Sequence, residues 1–168
     1  MLSKLVQKKI NEQINNELFS SYSYLAMAAY CSHEHFEGCA RWLRIQSQEE
    51  YGHAMRIYDF LVMRGERVQL RRISKPKRKF DSIVDVFEHV LQQEKMVTEQ
   101  INSLYELAFQ EKAFAALVEL EWFVQEQVEE EKNARDILHK FRLVADDPAS
   151  LLDLDRELGE RPAEESAA

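Results

Sequence analysis

The chain has 168 residues, 45% hydrophobic and 31% charged, enough for one domain with a full core and too apolar for a disordered chain. Four Gly and three Pro supply little turn material for a β protein, while Glu, Gln, Leu, Ala, Lys and Arg dominate, as helices prefer. The net charge of −8 argues against nucleic acid and anionic membrane as partners and favours cations.

The N-terminal MLSKLVQKKINEQ has no long apolar core of the kind found in signal peptides, and no apolar run reaches the ~18 residues of a membrane span. Cys31 and Cys39 form no C-x-x-C motif and read as free thiols of a reducing compartment, so a soluble cytoplasmic protein is expected.

Four segments keep an apolar stripe at steps of three and four, the period of a helix. The first, over 3–31, has Ser3 as its N-cap and a stripe of Ile10, Ile14, Glu17, Ser21, Tyr24 and Ala28. A short link over 32–37 holds His33, Glu34 and His35, read as a polar loop rather than a metal site. The second segment, over 38–64, carries Leu43, Glu50, Ala54, Ile57 and Leu61, with His53 one turn from Glu50 and Gly65 suited to its C-terminus.

The link over 65–80 can stretch roughly 50 Å at ~3.3 Å per residue, enough to run the length of a bundle. With Arg64 it is rich in Lys and Arg but lacks interleaved aromatics, and reads as a solvated loop or a subunit contact. The third segment, over 81–108, starts at a candidate N-cap, Asp81, and shows Ile83, Phe87, Val90, Glu94, Val97, Ile101, Leu104 and Ala108. The fourth, over 112–141, shows Leu117, Leu120, Val124, Gln127, Ala134 and Leu138, with Glu130 beside them. Asp147 and Pro148 open a short fifth helix with Leu151, Leu154 and Leu158 on one side, ending at Gly159.

Short first and third links force antiparallel neighbours, whereas the long middle link starts the third helix parallel to the second. The expected fold is therefore an all-α four-helix bundle, up-down-down-up, with a long crossover and a short fifth helix, over 1–159. Residues 160–168 have nothing to bury and are expected to be a disordered tail.

Glu17, Glu49, Glu50 and His53 are followed, each 77 residues later, by Glu94, Glu126, Gln127 and Glu130. Apolar positions obey the same shift, as in Ile10 and Phe87 or Leu43 and Leu120, so the chain reads as a duplicated helix pair. Each helix aims a polar group at the core, where an unpaired carboxylate is expensive, and no Lys or Arg lies on the stripes to compensate it. Two divalent cations would balance Glu17, Glu50, Glu94 and Glu130, and His53 would add a neutral nitrogen ligand. Oxygen-rich ligation with one imidazole suits iron or manganese, whereas structural zinc uses more Cys and His.

In the stretches Asn16-Glu17-Leu18, Glu49-Glu50-Tyr51-Gly52-His53 and Trp122 to Glu131, the sequence resembles the non-haem bacterial ferritins, over residues 1 to about 158. The resemblance implies a ferroxidase that oxidises Fe(II) with oxygen or hydrogen peroxide and stores ferric mineral in a hollow homo-oligomeric shell of twenty-four subunits. It implies a di-iron centre of Glu17, Glu50, His53, Glu94 and Glu130, with Gln127 as a neutral partner. A third iron site would use Glu49, Glu126 and Glu129 and share Glu130. The haem-containing bacterioferritins have a second Glu-x-x-His and a Met before the first His. Here Gln127-x-x-Glu130 and Gly52 stand instead, so no haem is expected.

Some residues keep two readings. Tyr24 can hydrogen-bond a ligand, supply an electron during oxidation, or simply fill the core, and Trp122 is read first as a packing residue. Glu129 lies in an acidic run that also suits a solvated face. Rival functions are a peroxide reductase of the rubrerythrin type, although its Cys-rich electron-transfer module has no counterpart here, a DNA-binding mini-ferritin, which places its ligands between subunits, and a non-catalytic helical bundle.

Overall fold

The structure, a computed structural model, describes residues 2–163. Its elements are α1 (Lys4–His33), α2 (Glu37–Met63), α3 (Ile83–Gln110), α4 (Phe114–Val144) and α5 (Pro148–Gly159), with no strand among the described residues. All eight stripe positions expected on α3, from Ile83 to Ala108, are buried. On α1 and α4 the stripe is buried except at its edges, where Ser21, Leu117 and Val124 are half-buried.

α1, α3 and α4 run two to three residues past their expected C-terminal ends, and α2 stops one residue short of its own. After α1, α2 and α3 the chain passes through a left-handed residue, His35 (φ 65°), Gly65 (φ 72°) and Lys112 (φ 53°) respectively. The next amide then reaches back across six residues: Phe36 to the Cys31 carbonyl, Glu66 to Leu61, and Ala113 to Ala108. Only one of these three ends carries a glycine, so only that one was visible as a terminator. Ser3 accepts from the Val6 amide and Asp147 from the Ala149 amide, as expected of N-caps. At α3 the cap is Ser82 rather than Asp81. The Ser82 hydroxyl accepts from the Asp85 amide at 3.1 Å, while the Asp85 carboxylate accepts from the Asp81 amide at 2.9 Å, so the two side chains close the turn together.

The crossover lies along α1 for most of its length. Near the start of α1, the Asn11 side chain accepts from the Gln69 amide (2.6 Å) and donates to the Arg67 carbonyl (3.4 Å). Near its end, Tyr30 meets Phe80 edge to face, with centroids 5.2 Å apart. The link therefore crosses from one end of the bundle to the other and starts α3 parallel to α2. Its basic residues make surface ion pairs such as Arg71 with Glu12 and Lys77 with Asp85, which fix its course more than they stabilise it.

The apolar interior is in two pieces. One joins Tyr24, Met27, Cys31, Leu43, Phe87, Phe141 and Leu158, and the other joins Val6, Ile10, Ile14, Leu61, Ile101, Leu120 and Phe123. Glu17, Glu50, His53, Glu94, Gln127 and Glu130 are buried between them. The bundle thus has a polar belt clamped by two hydrophobic plugs.

α5 closes one end and completes α2. Phe36, the residue before α2, offers no side-chain cap, and the buried Asp155 carboxylate of α5 accepts from the Gly38 amide at 3.1 Å and the Cys39 amide at 2.7 Å instead. Gly38 is required by this approach, because a Cβ there would lie 1.7 Å from the Asp155 carbonyl oxygen. Asp155→Ala is expected to lower unfolding stability by about 1–3 kcal/mol, since two buried amides lose their acceptor. Gly38→Ala undocks the same helix, so chemical denaturation should find the double variant little worse than the more damaging single one.

Candidate metal centre

Two helix pairs bring the polar groups together. On α1, Glu17 follows Gln13 by one turn, and the Gln13 amide donates to its Oε1 at 2.7 Å. On α2, Glu50 and His53 share a face at i, i+3, with Glu50 Oε2 3.3 Å from His53 Nδ1. Glu17, Glu50 and His53 are all buried, and each offers one ligand atom within 4.8 Å of the others. Glu17 Oε2 and both Glu50 oxygens are enclosed with no hydrogen-bond donor aimed at them, apart from a proton the two carboxyls can share.

The second half is differently furnished. Tyr24 donates its hydroxyl to Glu94 Oε1, and the Gln127 amide donates to Glu94 Oε2 at 3.2 Å and to the Glu94 carbonyl at 3.1 Å. Glu130 Oε2 accepts from the Gln46 amide at 2.8 Å. Glu94 and Glu130 thus already hold neutral donors, while on the other side only Glu17 Oε1 has one, from Gln13, and Glu50 has none.

A second compact group adjoins the first. Glu49, His53 and Glu126 each place a ligand atom within 4.8 Å of the others, and both carboxylates are half-buried. His53 belongs to both groups, so the two clusters meet at one imidazole. Glu129 is exposed and joins neither group among the described residues. His53 is walled by Trp122 and Phe123, edge to face at 5.2 and 5.9 Å, and Arg56 lies 4.1 Å over the Trp122 ring. Trp122 therefore packs directly against a candidate ligand.

Electrostatically the belt is a reservoir of unfavourable charge. Burial pushes the Glu17 carboxyl up to about 7, with Gln13 pulling the other way. Burial, then the neighbouring Glu94 and Glu49, pushes Glu130 up to about 9 despite the Gln46 amide. Glu50 is raised well above the ordinary range by burial and by Glu94, Glu17 and Glu130. Burial raises Glu94 as well, against the hydrogen bonds of Tyr24 and Gln127. His53 is brought down to about 4 by burial and by Arg56, so its imidazole is neutral and able to ligate. None of the ion pairs among the described residues joins Glu17, Glu94 or Glu130 to Lys or Arg.

Gln13 and Gln46 are the site residues the sequence reading missed. Each lies one helical turn before a stripe glutamate, Glu17 and Glu50, which is the only signal available. The 77-residue shift does not reach them, since it maps them onto Val90 and Phe123.

A ferritin-like domain model matches residues 7–144. The chain belongs to the ferritin family. It is 39% identical over 165 residues to a bacterial non-heme ferritin of Staphylococcus aureus, covering 98% of this chain and 99% of that one. A bacterial non-heme ferritin of Staphylococcus epidermidis is 40% identical over 161 residues, covering 96% and 97%. Among solved structures, an open-pore ferritin of Archaeoglobus fulgidus superposes with a TM-score of 0.95 at 44% identity, over 96% of this chain and 100% of that one. An engineered closed form of the A. fulgidus ferritin gives 0.95 at 45% identity. In this ferritin chain no helix is long and apolar enough to cross a membrane, among the described residues.

The pH behaviour of the metal-free ferritin follows from these shifts. Carboxyls raised in the fold stabilise it fully below the ordinary value of 4.5, and that contribution is lost as pH rises towards about 7 for Glu17 and about 9 for Glu130. His53, lowered from 6.5 to about 4, contributes above 6.5 and loses that contribution as pH falls towards 4. The several raised carboxyls outweigh the one imidazole, so chemical denaturation of the apoprotein should show greatest stability near pH 4 and a decline of a few kcal/mol towards pH 9. A bound divalent cation replaces the protons, so the metal-loaded protein should lose the alkaline decline and release protons on loading near pH 7.

Proposed function

We propose that this chain is an iron-storage ferroxidase that oxidises Fe(II) to Fe(III) at a di-iron centre within each subunit, using oxygen or hydrogen peroxide. The observation that carries the reading is the buried trio of Glu17, Glu50 and His53, three of whose four carboxylate oxygens have no donor, facing Glu94 and Glu130 across the bundle with no Lys or Arg paired to these carboxyls among the described residues. Such a trio is costly as a structural element and suited to a divalent oxygen-seeking cation.

In this reading Fe(II) is the substrate, and the protein supplies geometry and charge. Glu17, Glu50 and His53 hold one iron, and Glu94 and Glu130 hold the other, with Gln127 keeping Glu94 oriented. Glu49 and Glu126 take a third iron beside them, with Glu129 and Glu130 completing that site on the family pattern. Each Fe(II) gives up one electron, so two irons reduce oxygen to peroxide, or peroxide to two waters, with protons taken up. Tyr24, hydrogen-bonded to Glu94 and buried, is positioned to supply a further electron. The raised carboxyls carry protons that iron binding displaces, which holds the loaded belt near neutrality.

The ferric product is deposited in a homo-oligomeric shell, read as twenty-four subunits from the family resemblance. The outer face of α1 supports assembly: Tyr22 and Leu25 are exposed beside Lys75, Pro76 and Arg78 of the crossover, lining an open groove of about 550 Å³. Free Cys31 and Cys39 suit a reducing cytoplasm.

Anaerobic Fe(II) titration of the apoprotein, followed by oxygen, tests the reading. Uptake of about two to three irons per chain with rapid oxidation is expected, and a loss of oxidation rate of at least about tenfold in Glu94→Ala. Binding below two irons per chain, or oxidation no faster than in buffer, would overturn it in favour of a structural bundle.

A further inference from the structure

The chain does not leave the bundle at the end of α5. It turns back through hydrogen bonds from the Glu160 amide to the Glu157 carbonyl and from the Arg161 amide to the Leu158 carbonyl. Arg41 pins the turn by donating to the Gly159 carbonyl at 3.0 Å and the Arg161 carbonyl at 3.2 Å. Although it falls in the stretch expected to be a disordered tail, Arg161 is held on every side, while residues 164–168 lie outside the described residues.

The Arg161 guanidinium reaches the candidate metal centre. One nitrogen donates to Gln46 Oε1 at 2.6 Å, the other donates to Glu49 Oε2 at 2.7 Å, and the planar group lies 5.0 Å over the Trp42 ring. An arginine can only donate, so its contact fixes the Gln46 amide with oxygen towards Arg161 and nitrogen towards Glu130, the orientation of the 2.8 Å bond between them. One cation from the C-terminal strap therefore engages Glu49 of the outer group directly and Glu130 through a single amide. The pair is largely enclosed, with side-chain exposures of 22% for Arg161 and 11% for Glu49, so it is less screened than the surface pairs elsewhere on the bundle.

We propose that Arg161 is a built-in counter-cation for the outer group of Glu49, His53 and Glu126, which a metal ion must displace from Glu49 to bind there. The inference rests on the reading of that group as a third metal site. A dication beside an undisplaced guanidinium meets like-charge repulsion and finds Glu49 Oε2 already taken, so the strap sets the affinity of the outer site. Displacement also frees the Gln46 oxygen, which links filling of the outer site to the hydrogen bond on Glu130.

The test is a Co(II) titration of the apoprotein near pH 7, followed by the absorption of bound cobalt, with Arg161→Ala, Arg161→Lys and Glu126→Gln. Wild type should bind a weaker third equivalent. Arg161→Ala should tighten that equivalent about tenfold while the first two stay within about threefold, and Arg161→Lys, which keeps the charge without the planar fork, should fall between. A purely structural Arg161 would lower thermal stability without moving the third affinity. An unchanged or weakened third equivalent in Arg161→Ala, or in Arg161→Lys should the alanine variant not fold, overturns the proposal. If Glu126→Gln abolishes the third equivalent in that case, the outer site stands and only the counter-cation role falls. If Glu126→Gln leaves it intact, or if no variant binds a third ion, the outer-site reading fails and the proposal falls with it.

Discussion

The structure turns on the burial of four carboxyl groups in the middle of a helical bundle, with no Lys or Arg among the described residues paired to any of them. An ionised carboxylate taken out of water costs several kcal/mol even after the surroundings relax, and Glu17, Glu50, Glu94 and Glu130 share one belt. Two apolar plugs, one at each end, hold the helices together around that cost. The belt therefore has two ways to be stable, with protons or with metal cations, and the fold tolerates the first while its geometry favours the second. Cation binding and folding electrostatics are here one problem.

The two halves of the belt solve it differently, which the duplicated sequence would not suggest. Glu50 and Gln127 are equivalent positions, as are His53 and Glu130, yet the exchanges alter what each half needs. Gln127 brings its side-chain amide to the carboxyl and the carbonyl of Glu94, and Tyr24 brings a hydroxyl to the same carboxyl. The equivalent of Gln127 on the other side is a carboxyl, Glu50, whose own oxygens receive nothing comparable. One half is thus organised in advance by hydrogen bonds, whereas in the other Gln13 serves one oxygen of Glu17 and the remaining three carboxyl oxygens keep an unmet demand for charge inside the protein. Preorganised donors hold a carboxylate in place for a ligand, whereas unmet demand supplies the larger gain on binding.

Much of this was legible in the sequence because helical periodicity and the repeat report what faces the core. Every stripe residue of α3 is buried, Glu94 among them, and the belt residues Glu17, Glu50, His53, Gln127 and Glu130 are buried with it. What was not legible depends on contacts between distant parts of the chain. The cap of α2 is Asp155, 117 residues from Gly38, so no local pattern around Phe36 announces it. His35 and Lys112 end their helices in left-handed conformations that glycine would have signalled and these residues do not. Those two positions are themselves 77 apart, so the repeat extends to the turns, where it could have been used.

The C-terminal segment shows why composition alone misjudges such a stretch. Residues after Gly159 include no large apolar side chain to bury, and a hydrophobic criterion assigns them no place. Arg161 is held by other means: a carboxylate, an amide oxygen, an aromatic face and a second arginine on its own backbone. Each of these partners belongs to α2, the helix that also carries Glu50 and His53. α5 sits on the start of that same helix through Asp155, so the strap and the cap act on one element from one side. The end of the chain thereby sets both the docking of α2 and the charge beside its outer carboxylate. A segment that looks expendable by sequence is thus tied to the electrostatics on which the rest of the bundle depends.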